Sequence, residues 1–132
     1  MATSFKASDR PARILVIEDD YANRLFFSDF LTYSGFVVSA LADGLNLEQH
    51  LKEFQPDLLL LDLGLPDIDG YTLIKIIRIS HEWHSLPIVV VSGYAFEEDQ
   101  TRALALGVQA YLIKPVRLKV LKQAIQSVLS KY

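Results

Sequence analysis

The chain contains no cysteine, which excludes a disulfide framework, a thiolate nucleophile and any cysteine-ligated metal, and is compatible with a reducing compartment. It also lacks any stretch of about 18 consecutive apolar residues, so no transmembrane helix is expected. The opening residues, Met1 to Arg10, have no apolar core of the kind a signal peptide carries. A soluble, cytoplasmic protein is therefore expected. The three histidines, His50, His81 and His84, share no metal-binding spacing and read as surface residues. The net charge of −3 hides no long run of one sign, which disfavours nonspecific nucleic-acid binding. A glycine-rich phosphate loop is absent as well. What remains is a chain of 132 residues, 51% apolar, with room for one compact domain. Residues 1–10 are polar and are expected to form a flexible tail ahead of a folded unit spanning 11–132.

Apolar runs alternate regularly with amphipathic segments. Arg13 to Ile17, Phe36 to Leu41, the run Pro56 to Leu61, Leu86 to Val91 and Val108 to Ile113 read as strands buried in a parallel sheet. Between them, helices are expected over Tyr21–Ser34, around Leu47–Phe54, over Gly70–His81 and over Ala95–Leu106, with a last one over Arg117–Leu129. In the first, Phe26, Phe27, Phe30, Leu31 and Tyr33 are predicted to face the core, with Gly35 closing the helix. In the third, Leu73, Ile74 and Ile77 form the core stripe; Ile76 and Ile79 either widen it or meet a partner. Strict β-α alternation without a hairpin signal implies a doubly wound parallel sheet with five helices.

Chemistry gathers at the carboxyl ends of those strands, where open α/β sheets bind ligands. The first strand runs into Glu18-Asp19-Asp20, the third into Asp62, the fourth into Ser92-Gly93 and the fifth into Lys114-Pro115. Asp20 suits the N-cap of the next helix, but capping does not account for three successive acids. Clustered carboxylates repel one another unless a cation or proton intervenes. An open set of oxygen ligands suits Mg²⁺, and a carboxylate beside such an ion can attack a phosphoryl group. Lys114 would neutralise one phosphoryl oxygen and Ser92 would donate a hydrogen bond to another.

From about Arg13 to Leu129 the chain resembles the receiver domain of two-component response regulators. The resemblance rests on Glu18-Asp19, on Asp62 with its Leu-Pro-Asp-Ile-Asp-Gly continuation, on Ser92-Gly93, and on Tyr111 three residues before Lys114-Pro115. It implies a flavodoxin-like five-stranded sheet of order 2-1-3-4-5 and a phosphorelay function. Asp62 would be the phosphoacceptor, charged by a histidine kinase or phosphotransfer protein. Asp19, Asp62 and the Gly64 carbonyl would ligate Mg²⁺, with Glu18 holding a metal-bound water. Ser92 and Tyr111 would be the switch pair, and the Lys114-Pro115 peptide would be cis. Catalysis would extend only to the domain's own phosphoryl transfer and autodephosphorylation. Gly64 and Tyr94 occupy positions that tune phosphoryl lifetime in that family. Output would pass to a protein partner or a second copy through the fourth helix, fifth strand and fifth helix, where Leu104, Tyr111 and Val120 lie, and not directly to nucleic acid. The chain ends with the fifth helix, so it resembles a stand-alone receiver or one excised from a larger protein.

Three other readings compete. An aspartate-nucleophile phosphatase of the haloacid dehalogenase kind would want a second acid where Gly64 stands. A flavin module would need anion-binding donors where the first loop carries acids. A receiver-like interaction module working without phosphorylation would not need the full chemical set that this chain contains.

Overall fold

A computed structural model describes residues 10–66 and 68–131; the expected 1–10 tail therefore lies, apart from Arg10, outside the described residues. The elements alternate as β1 (Arg13–Ile17), α1 (Tyr21–Tyr33), β2 (Val37–Leu41), α2 (Leu47–Phe54), β3 (Leu58–Leu61), α3 (Gly70–Ile79), β4 (Ile88–Ser92), α4 (Glu97–Ala105), β5 (Ala110–Ile113) and α5 (Leu118–Lys131). All strand pairs are parallel and the order is β2-β1-β3-β4-β5, as expected. No helix among the described residues is long and apolar enough to cross a membrane.

The period of two along each strand divides the core between the two sheet faces. Leu15, Ile17, Leu59, Leu61 and Val90 pack under α2, α3 and α4. Ile14, Val16, Leu58, Leu60 and Val91 pack under α1 and α5. Because both faces are covered, β1, β3 and β4 read as unbroken apolar runs.

Two glycines are demanded by geometry. Gly35 takes φ +101° just past the α1 cap, a left-handed conformation that side chains resist. At Gly70 a Cβ would stand 2.5 Å from the Leu63 Cα, so the start of α3 sits directly against the residue that follows Asp62.

One expectation needs correction, and one left open is decided. In α1 only Phe27 and Leu31 are fully buried, with Phe30 packed at the margin; Phe26 and Tyr33 are 57% and 91% exposed. Phe26 and Phe27 are neighbours on a helix, so both cannot point at one sheet, and Tyr33 shares the outward side with Phe26. In α3, Ile76 does widen the packed face, whereas Ile79, opposite the stripe, is 83% exposed.

At the amino ends of the strands, Arg10 forms a two-pronged ion pair with Asp57 (2.7 and 2.8 Å), whose carboxylate also accepts the Arg13 N–H at 2.7 Å. Arg10 and Ala12 line one hollow with Gly35, Phe36, Leu129 and Ser130.

Candidate functional site

The strand ladders run past the strands and carry the polar residues to one edge. The Asp62 N–H donates to the Ile17 carbonyl at 3.0 Å, the Glu18 N–H to Leu41 at 3.0 Å, and the Lys114 N–H to Ser92 at 2.8 Å. The sheet order reverses between β1 and β3, and Glu18, Asp19 and Asp62 stand at that switch point. One carboxylate oxygen from each of the three lies within 4.8 Å of the others. Glu18 and Asp62 are buried while Asp19 is exposed, so the cluster opens to solvent on one side.

Lys114 joins the two buried acids. Its Nζ donates to Glu18 Oε1 at 2.7 Å and to Asp62 Oδ2 at 3.1 Å. Burial alone would lower the pKa of this ammonium, but the Glu18 hydrogen bond and the Asp62 charge outweigh it and hold the pKa above its ordinary value. For Glu18 the balance goes the other way: burial pushes its carboxyl up to about 7, assisted by the Asp62 charge and opposed by Lys114. Glu18 Oε2 accepts the Asp20 N–H at 3.1 Å, and Asp20 in turn caps α1 by accepting from the Asn23 N–H at 2.8 Å. The acidic run thus divides its work, with the third acid capping and the first two facing the site.

The remaining predicted residues surround this group. The Gly64 N–H donates to Asp62 Oδ1 at 3.1 Å. Ser92 is fully buried and its Oγ accepts the Tyr94 N–H at 3.0 Å. The Tyr94 phenol bends over Gly64: a Cβ there would meet its hydroxyl at 3.3 Å and Asp62 Oδ1 at 3.8 Å. Tyr111 is half-buried and its hydroxyl donates to the Tyr94 carbonyl at 2.7 Å. Burial is also what raises its phenolic pKa. The Lys114-Pro115 peptide is cis.

Sequence reasoning missed three supporting residues. Arg24, one turn into α1, donates to the carbonyls of Glu18 (2.9 Å) and Asp19 (3.2 Å) and fixes the acidic loop. Arg78 donates to the carbonyls of Leu106, His84, Leu86 and Gly107, tying α3 to the loops before β4 and β5. Tyr71, at the second position of α3, is buried against α4. An acidic loop followed by an arginine one helical turn later was the available signal for Arg24; the others depend on segments distant in sequence.

Three hard oxygen donors with an open side fit a small divalent cation such as Mg²⁺, which would offset the charge of the carboxylates gathered there.

The chain is similar to known proteins in sequence and in fold. The polar-differentiation response regulator DivK of Brucella anthropi is 29% identical over 90% of this chain and 97% of its own length. Among solved structures, a response regulator from Chloroflexus aurantiacus matches with a TM-score of 0.85 at 28% identity, covering 91% of this chain and 98% of that one. The receiver domain of a sensor histidine kinase from Pseudomonas aeruginosa, with a magnesium ion coordinated in its active-site cleft, matches at 0.81 and 28%, covering 90% and 98%. The family model for the response regulator receiver domain covers residues 14–126, the acidic edge and all of the sheet but Arg13 included, and the chain belongs to that family.

Proposed function

We infer that Asp62 is a phosphoacceptor, charged from a phosphohistidine in a Mg²⁺-dependent reaction. Receiver domains are signalling domains of two-component systems, working with histidine kinases or phosphotransfer proteins and with downstream partners. The observation that carries the finer reading is the convergence of Glu18, Asp19 and Asp62 within 4.8 Å, with Lys114 bonded to two of them.

Asp19, Asp62 and the Gly64 carbonyl would hold Mg²⁺, with Glu18 acting through water. When bound, the ion offsets repulsion between the carboxylate and the incoming phosphoryl group. An Asp62 oxygen attacks phosphorus; the P–N bond breaks and the donor imidazole keeps the electron pair. Lys114 exchanges part of its hold on the acids for a phosphoryl oxygen, and the Ser92 hydroxyl turns its hydrogen toward another. Tyr111 follows as the aromatic half of the switch. Tyr94, standing over Gly64, screens the product from water and sets the rate of autodephosphorylation. Output passes through α4, β5 and α5, where Leu104 and Val120 are 52% and 42% exposed, to a protein partner or a second copy.

Intact mass after incubation with Mg²⁺ and acetyl phosphate tests the assignment. One added phosphoryl group is expected, absent without Mg²⁺ and absent in Asp62→Asn. No adduct from acetyl phosphate or from several histidine kinases would leave a binding module that works without phosphorylation.

A further inference from the structure

Helix α4 is thinly anchored. Among its nine residues only Ala103 is buried, and Phe96 at its N-cap position offers no side-chain cap to the first turn. Two hydroxyls from other elements reach the segment around its start. The Tyr111 hydroxyl donates to the Tyr94 carbonyl at 2.7 Å, and the Tyr71 hydroxyl donates to the Asp99 carbonyl at 3.1 Å. The Tyr71 ring also carries the Arg102 guanidinium over its face, 3.8 Å from the ring centre. Tyr71 is 3% exposed, while Arg102 on α4 is itself exposed. Burial pushes its phenol up to about 12, so it remains a donor throughout the physiological range.

The other end of this contact leads back to Asp62. Tyr71 directly follows Gly70, whose N–H donates to the Leu63 carbonyl at 3.1 Å and whose lack of a Cβ permits contact with the Leu63 backbone. The residue beside Asp62 is thus packed on the start of α3, and α3 holds the first turn of α4.

We propose that Tyr71 is a positioning residue for phosphoryl transfer: it holds the first turn of α4 and thereby keeps Tyr94 seated over Gly64 and Asp62. The proposal rests on the phosphoacceptor reading of Asp62. Tyr111 reaches the segment from β5 and Tyr71 reaches it from α3, so the stretch from Tyr94 to Asp99 is pinned at both ends. Loss of the Tyr71 pin loosens the Tyr94 cover and admits water to the phosphorylated carboxyl.

Tyr71→Phe removes the hydroxyl and keeps the ring over which Arg102 stacks. In the unphosphorylated full chain, amide hydrogen exchange across residues 95–103 is expected to quicken roughly three- to tenfold, while exchange in the central strands is unchanged. After labelling with acetyl phosphate and Mg²⁺, the half-life of the adduct is expected to shorten roughly two- to fivefold. Arg102→Ala, with the hydroxyl intact, should produce smaller changes of the same sign. Unchanged exchange in 95–103, exchange that rises equally in the strands, or an unchanged half-life would each overturn the proposal. A wild-type chain that takes up no phosphoryl group would instead sink the Asp62 reading, and the exchange measurement would still decide whether Tyr71 holds α4.

Discussion

Lys114 stands closer to Glu18 than to Asp62, 2.7 Å against 3.1 Å, so the acid proposed to reach the metal through water competes with the proposed phosphoacceptor for one ammonium. On the proposed reading, charging Asp62 and filling the cation site each compete with that pairing.

Replacing Lys114 by Met should therefore separate the two functions. Adduct formation slows by roughly ten- to a hundredfold, the worth of a charge-assisted hydrogen bond. Mg²⁺ binding tightens, because the competing cation has gone. Timed intact mass and titration calorimetry read the two effects, and weaker Mg²⁺ binding would contradict the assignment.

The raised Glu18 has a consequence for pH. Its folded pKa of about 7 lies above its ordinary 4.5, so the folded state binds more protons across that interval. Its contribution to stability is present below the unfolded value and is lost as pH rises through the folded one. In metal-free protein, Glu18→Gln should match wild type near pH 5 and exceed it near about pH 8, as read from urea midpoints. Equal midpoints at the higher pH would show that Lys114 fully compensates the buried charge.

Tyr94 over Gly64 predicts the lifetime of the adduct. Tyr94→Ala should shorten it by roughly two- to tenfold, since water then reaches the site past a residue with no side chain. Loss of label after removal of the phosphodonor is the measurement. A longer lifetime would show that the phenol assists hydrolysis.

Arg78 spreads one guanidinium over four backbone carbonyls, with Gln109 Oε1 at 3.5 Å beside them. Arg78→Ala should destabilise the protein by about 2–3 kcal/mol in urea unfolding. Lysine should restore only part of that, because an ammonium lacks the planar fork. Full rescue by lysine would mean that charge alone matters there.

At Leu104 and Val120, glutamate should change stability by less than about 0.5 kcal/mol, as expected for exposed sites. The same changes should abolish partner binding or self-association. Unchanged association in both would remove α4 and α5 from the output face.

The strands at the centre were legible because burial on both faces leaves an apolar signature that needs no knowledge of neighbours. Their ends were legible for the same reason: Glu18, Asp62 and Lys114 interrupt the apolar runs at the carboxyl edge of the sheet. Tyr71 gave no such signal, since its hydroxyl's partner lies in α4, 28 residues away in sequence. Arg78 depends likewise on the carbonyls before β5. In α1 the adjacent aromatics Phe26 and Phe27 fit two helical faces equally well, and only the position of the sheet selects Phe27.

The hollow shared by Arg10 and Ala12 with Leu129 and Ser130 has a practical corollary. The chain enters β1 and leaves α5 on the same side of the molecule, with the length of the sheet between that side and the acids. A fluorophore, an affinity handle or a tether to a sensor chip attached ahead of Arg10 or after Lys131 would present the acidic edge outward. The domain could also be spliced as a unit into a loop of another protein, its two junctions close together and its chemistry facing away from the host.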